Sequence, residues 1–585
     1  MTAPQLAGGF GALDWSVVAG VLLAITWLGH RLTGQQKDLR DFYLAGRSLP
    51  WPAVSASIVA TEISAVTFFV VPSLVRRDGG NLHYLQIGLF SALIARVFVA
   101  LVLVPAYYDR EVYSPYDFMG DRLGGSVRRM TTGLFMLGGT LAQAARVYVT
   151  AVVIEVLSRE QLEVVAGVTG LSTLAVAVLG ITLVALAWTW IGGVATVVWT
   201  DTFLFLLFVG GLAAMLAFLE SNVPGGLVDA FAQADEAGRL SLVVPSWSML
   251  DAYSAFSVVV GASIGLIAPY GTDQLIAQRL LSCRSRRDAQ LAMLFSNVSV
   301  VVVLLAYAVG VGLIGYYGAY DSYNDGLQEM SDAAAALVAD KPERILPVFV
   351  REELPSGVRG LVLAAAFAAA ISSLDSILAA LGQATSSLRG SWARVRGGGA
   401  ACEDARASLR STRLAVLGWA AVLASVACAM PVLEKRLGSS TLLDLALAMS
   451  AFVGGPLLGA FLLARFAAPG RGAAGFLWAA PLGVLTVLFA TWHGPDGYRA
   501  SWVLVSIVFF LWLVFGLPRR RHPYAAIQTI WYAFSLFLLT RVAEVGDFDG
   551  RSIAWPWYVP IGAAVTVLYS FLLDRPARRG AQQRP

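Results

Sequence analysis

Residues 52–71 read PAVSASIVATEISAVTFFVV. A stretch of this length and apolarity suits a helix crossing about 30 Å of hydrocarbon. Its middle, Ala60-Thr61-Glu62-Ile63-Ser64, nevertheless holds an acid and two hydroxyls. Polar groups at that depth are costly and mark a site or a buried partner. A second apolar stretch, 251–278, is interrupted in the same way by Pro269-Tyr270-Gly271-Thr272-Asp273-Gln274. Discontinuous helices at corresponding positions of two halves point to the midplane site of a carrier. Unwound backbone there offers carbonyl oxygens to a cation.

Working outward, apolar blocks near 13–30, 52–71, 84–108, 129–158, 172–191, 195–219, 251–278, 289–315, 356–388, 414–432, 441–464, 473–492, 500–517, 524–541 and 555–573 read as membrane spans. The two interrupted spans lie five apart, the spacing of two five-helix units. Of the 585 residues 57% are hydrophobic and 14% charged, against about a quarter charged in soluble domains. The expectation is an all-α multi-pass membrane protein with no large soluble domain. It divides into an extra span and loop (1–51), a first five-helix repeat (52–219), a second (251–466), and further C-terminal spans with a short tail (467–585).

If every span crosses, one set of connections carries roughly two thirds of the 42 Lys and Arg, the excess that marks the cytoplasmic side. The N-terminus is then expected outside, the C-terminus inside, and the protein in the plasma or inner membrane. Met1 to Ala12 lacks the basic start of a cleavable signal. Loops 220–250 and 316–355 have room for short helices, Tyr113 to Gly125 suits the membrane surface, and the arginine-rich 389–413 reads as a solvated loop.

Cys283, Cys402 and Cys428 form no CxxC pair, and no histidine lies close to one, so neither a disulfide framework nor a zinc site is indicated. Gly261-Ala262-Ser263-Ile264-Gly265 fits a nucleophile elbow, and Gly310 to Gly315 fits a dinucleotide fingerprint. Neither has the strand context its chemistry needs. Small residues here are expected to let helices approach closely. No nucleophile–base pair, organic cofactor, nucleic acid or obligate protein partner is indicated. A small solute and the lipid bilayer are the expected partners.

Charges inside spans are Glu62, Arg96, Arg146, Glu155, Asp201, Asp273, Asp375 and Asp444. Near Asp375, residues Ala369, Ser372, Ser373 and Ser376 follow i, i+3, i+4, i+7 and share one helix stripe. Hydroxyl and carbonyl oxygens without thiolate or imidazole suit a hard cation. The plainer alternative is serines bonding back to their own helix.

Phe42-Tyr43-Leu44-Ala45-Gly46-Arg47-Ser48-Leu49-Pro50-Trp51 followed by Ala60-Thr61-Glu62-Ile63-Ser64-Ala65 resembles the sodium:solute symporter family. So do Trp190-Ile191-Gly192-Gly193 with Val198-Trp199-Thr200-Asp201, Gly271-Thr272-Asp273-Gln274 with Gln278-Arg279, and Ser372-Ser373-Leu374-Asp375-Ser376. The likeness runs in order from about residue 40 to 465. It implies a leucine-transporter-like inverted repeat of 5+5 helices and sodium as coupling ion. The implied sodium ligands are carbonyls of Ala60, Ile63 and Ala369 with the hydroxyls of Ser372 and Ser373. An optional second cation is implied at Asp201, Ser372, Asp375 and Ser376.

For the solute, Glu62, Thr67, Gln86, Gln143, Arg146 and Tyr270 are the candidate lining. Glu62 argues against a sugar, and Arg279 to Ala289 resembles the iodide, monocarboxylate and vitamin branch of the family, which implies a small organic anion, vitamin or similar metabolite. Arg146 either neutralises an anionic solute or pairs with Glu62 or Glu155, the second being preferred. The expected function is sodium-coupled import by alternating access. Proton coupling through Glu62 or Asp201, and a membrane sensor, are the rivals.

The charge sorting places Cys402 inside. A membrane-impermeant maleimide should miss it in intact cells and label it in inside-out vesicles; rapid labelling from outside reverses the orientation.

Overall fold

The computed structural model describes residues 9–32, 44–63, 66–110, 112, 114–191, 194–318, 330–395, 405–437, 442–491 and 553–574. Among these the chain is helical, with no strand beyond two isolated bridges. Every expected span that falls on them coincides with a helix; those near 500–517 and 524–541 lie outside them. In chain order the helices are α1 (Ala12–Leu32), α2 (Trp51–Glu62), α3 (Val66–Arg76), α4 (Ile87–Tyr108), α5 (Gly125–Leu157), α6 (Thr173–Ile191) and α7 (Val194–Asn222). They continue as α8 (Ser257–Thr272), α9 (Gln274–Leu281), α10 (Arg286–Tyr317), α11 (Val358–Val395), α12 (Ala405–Leu437), α13 (Leu442–Phe466), α14 (Ala473–Thr491) and α15 (Tyr558–Leu572).

Both interrupted spans are broken where the sequence places the polar residues. Helices α2 and α3 form one span bent by 62°, and Ile63 at the end of α2 is extended (φ −77°, ψ 109°). Between α8 and α9, Asp273 has nearly the same conformation (φ −77°, ψ 132°). Its carboxylate accepts the Leu275 N–H at 2.8 Å and so caps α9. The carbonyls freed at this break are taken up by α4 and its neighbour: Tyr107 donates to Gly271 O at 2.7 Å, and Tyr116 to Thr272 O at 3.2 Å. Hydrocarbon offers no substitute partner.

Short helices Gly226–Glu236, Asp332–Asp340 and Ile345–Glu352 fill the long connections, and Pro115–Leu123, capped by Ser114, follows α4. The 389–413 segment is not a loop throughout: α11 runs to Val395 and α12 starts at Ala405. The extra first span has a defined task. Asp14, fully buried, accepts the N–H groups of Gly357 (2.7 Å) and Gly360 (3.2 Å) and the Ser356 hydroxyl (3.2 Å). It thus caps the start of α11 from another helix.

Glycines set the closest approaches. A Cβ on Gly310 of α10 would lie 2.3 Å from the Pro72 carbonyl of α3. One on Gly455 of α13 would lie 2.7 Å from Gly562 of α15. Both glycine patterns that mimic soluble motifs lie in helices, as small residues at helix contacts.

Gly310→Ala forces α10 and α3 apart and should cost about 1–3 kcal/mol. A thermal melt in detergent should show a drop of several degrees, whereas Gly418→Ala, whose Cβ meets open space on α12, should change little.

Candidate ion and solute site

Where α2 passes α11, the serine stripe faces two different surroundings. Ser373 is buried, and its Oγ has no hydrogen-bond partner. A buried orphan hydroxyl forfeits about 1–3 kcal/mol unless a ligand supplies the missing contact. Serine–backbone bonding, the plainer reading of the stripe, does not describe it. Ile63, at the extended end of α2, belongs to the same expected ligand set, as do Ala60 in α2 and Ala369 in α11. Oxygen ligands of this kind fit sodium.

Ser372 turns the other way and donates to Asp201 Oδ1. The structure does bring Asp201, Ser372, Asp375 and Ser376 together, and it adds Arg279. The Arg279 guanidinium donates to Asp201 Oδ2 (2.9 Å), Ser57 Oγ (2.8 Å), Ser376 Oγ (2.7 Å) and the Leu275 carbonyl (2.8 Å). Ser57 in turn donates to Asp201 Oδ2 at 2.6 Å, and Ser376 to Asp375 Oδ1 at 3.1 Å. All six of these polar side chains are buried. Sequence reasoning quoted Arg279 within a motif but gave it no partner. A buried arginine needs a carboxylate, and that requirement was the available signal.

Between the two breaks lies a cavity lined by Glu62, Thr67, Gln143, Arg146 and Tyr270, together with Asp273, Tyr84 and apolar residues of α4, α8 and α10. Gln86 is not among them. Its amide donates to the carbonyls of His83 and Tyr253, both at 3.2 Å, and so closes a loop outside the cavity. The preferred pairing of Arg146 is also not found. Glu62 is held by Arg96 and by the Tyr270 hydroxyl (2.5 Å), while Glu155 accepts from Thr173. Arg96, itself buried, donates further to Ser296 and Asn297, each at 2.9 Å, and lies 4.4 Å over the Tyr270 ring. Arg146 donates instead to the Thr61 carbonyl at 2.9 Å. That group lies in the last turn of α2, where carbonyls lack helical partners and a cation is favoured. Arg146 therefore borders the cavity with no carboxylate hydrogen-bonded to it among the described residues, although the charges of Asp273 and Glu62 on the same wall act on it. Gln143, one helical turn earlier, leaves its Oε1 without a partner on the same wall.

Two interrupted helices around a cavity that is mostly apolar but carries Glu62, Arg146 and Asp273, with a cluster of buried hydroxyls and carboxylates beside it, define a membrane carrier. A sequence model of the Sodium:solute symporter family matches residues 42–483, and the chain belongs to that family. It is therefore a transporter and not an enzyme. It is 28% identical over 468 residues to the sodium/iodide cotransporter of Homo sapiens, covering 78% of this chain and 66% of that protein. It is 28% identical over 475 residues to the human sodium-coupled monocarboxylate transporter 1, covering 79% and 70%. With the sodium/sialic acid symporter SiaT of Proteus mirabilis the identity is 26% over 372 residues, covering 63% and 69%. The chain thus spans about two thirds of the length of these relatives. A solved sodium-coupled sialic acid symporter, in a substrate-bound outward-open state, superposes with a TM-score of 0.68 at 20% identity, covering 96% of this chain and 97% of that one. The fold is the leucine-transporter-like one.

Removing Arg96 strands Glu62 beside the cavity. Arg96→Met should destabilise by about 3 kcal/mol or more, and adding Glu62→Gln should restore part of the loss, because the stranded charge is gone. Melting temperatures of the two variants in detergent check this; equal melting of both would assign the cost to the Ser296 and Asn297 contacts instead.

Proposed function

We propose that the chain is a symporter that imports a small organic anion with sodium. The observation that carries the solute reading is Arg146, a guanidinium on the cavity wall that bonds a carbonyl and no carboxylate. An incoming carboxylate completes its bonding with a charge-assisted pair. The relatives' names, iodide, monocarboxylate and sialic acid, are all anionic solutes and support the same class. Glu62 does not oppose this, since Arg96 neutralises it.

Sodium binds between α2 and α11, with Ser373 Oγ supplying an oxygen that nothing in the protein occupies. The neighbouring cluster sets the ion count. The Asp201 carboxylate is already paired with the Arg279 guanidinium, and Asp375 accepts from Ser376. A second sodium at Asp201 would stand beside that guanidinium in a low-dielectric interior, which favours a single ion, at Ser373. Arg279 thus stands, as a fixed cation, where the resemblance allots the second ion. Sodium entering from outside ties α2 to α11, the two breaks close on the solute, and the inner path then opens. One charge moved through 100 mV contributes about 2.3 kcal/mol. The orientation assumed, N-terminus out and C-terminus in, rests on the loop charges. The two repeats, 52–219 and 251–466, are the units that rock.

Uptake of radiolabelled carboxylates, vitamins, iodide and sugars into proteoliposomes under an inward sodium gradient, at fixed pH and potential, tests the function. Carboxylate uptake that needs sodium is the expected outcome; uptake driven equally by protons alone overturns it. Ser373→Ala should weaken sodium binding by ~1.5–3 kcal/mol, that is tenfold or more. Through linkage it should also weaken solute affinity at limiting sodium. The sodium Hill coefficient should be close to one in the wild type; a value near two restores the second cation. Equal sodium dependence for wild type and Ser373→Ala removes Ser373 from the site.

A further inference from the structure

The cavity has one wall that the family resemblance does not cover. Trp555 lines it, yet residue 555 lies past the matched segment 42–483, just before α15. Trp555-Pro556-Trp557 forms a single turn, and its two indoles are treated differently. Trp557 donates its Nε1–H to Ser257 Oγ at 2.9 Å and packs on Phe256 with ring centroids 4.9 Å apart. The turn is also held by the Ala554 N–H on the Met249 carbonyl, at 3.0 Å. Gly261 of α8 leaves room for both Trp557 and Pro556. The turn is therefore fixed to α8, the helix that carries the second break. Trp555, so positioned, has a buried Nε1 with no hydrogen-bond partner.

We propose that Trp555 is a solute-binding residue: α15 completes the cavity from the outer side, and the Trp555 indole donates to the bound solute. The inference rests on reading this cavity as the solute site. A buried indole N–H normally finds an acceptor, and its neighbour two residues on has one. Among the described residues no group supplies one at Trp555, so the acceptor comes with whatever enters the cavity. An anionic oxygen, the class Arg146 favours, is the strongest such acceptor. The flat ring also gives the solute an apolar face, so Trp555 selects by shape as well as by hydrogen bond.

Wild type and Trp555→Phe, which keeps a ring but loses the N–H, are reconstituted and assayed for sodium-driven uptake of radiolabelled lactate. Half-saturating lactate should rise roughly tenfold, the loss of one charge-assisted hydrogen bond. Half-saturating sodium at saturating lactate should stay unchanged. Equal lactate affinity in the two proteins overturns the bond. Placement is tested without a solute. In a chain carrying Cys402→Ser and Cys428→Ser, Trp555→Cys should react with a membrane-impermeant methanethiosulfonate applied outside, and an inert thiol overturns the wall. If the wild type takes up no lactate, the carboxylate reading fails for that solute, and the thiol reaction alone decides the place of Trp555.

Discussion

Inside a bilayer, a backbone group released by a broken helix has no water to turn to. Both breaks here obey that constraint, and the site follows from how they do. At the second break tyrosines from α4 and its following helix reach the Gly271 and Thr272 carbonyls, and Asp273 takes an amide of α9. At the first, Arg146 takes the Thr61 carbonyl. The same bond that satisfies the end of α2 carries a positive charge to the cavity wall. Satisfaction of the broken helix and the charge on the cavity wall are there one interaction seen from two sides.

The buried charges are arranged with similar economy. Arg96 holds Glu62 with the help of Ser296 and Asn297, and Arg279 holds Asp201 with the help of Ser57 and Ser376. Each pair joins the first interrupted span to another: Glu62 to α4, and Ser57 through Asp201 and Arg279 to α7 and α9. Buried pairs of this type add little net stability but fix which arrangement is adopted. They therefore hold the first interrupted span to α4, α7 and α9, while the buried Ser373 hydroxyl has no partner among the described residues.

Much of this was legible in the chain. The breaks announce themselves as polar residues within apolar spans, and the serine stripe needs only helical periodicity. The sorting of Ser372 and Ser373 to different partners did not show, because adjacent residues point about 100° apart and periodicity does not say what stands on either side. Arg96 and Arg146 were visible as buried charges, but their partners lie 34 and 85 positions away. Which group each arginine meets, an acid for Arg96 and a carbonyl for Arg146, is decided by helix packing. Gln86, helical and next to the cavity-lining Ile87, suits the lining by position in the sequence, but its amide ties the His83 and Tyr253 carbonyls, a choice that packing decides. Trp555 lay outside every recognisable motif.

The cap that Asp14 places on α11 has a bearing on biogenesis. The carboxylate and the amides it accepts stand 343 positions apart. During synthesis at about 5–20 residues per second, the first span therefore emerges well before its partner exists. Asp14 stands in the first turn of α1, at the end of the span and beside Arg359, so its carboxylate meets these partners only once the start of α11 has been made. Docking of α1 on the start of α11 is therefore a late contact, made only when the chain has returned to its own beginning.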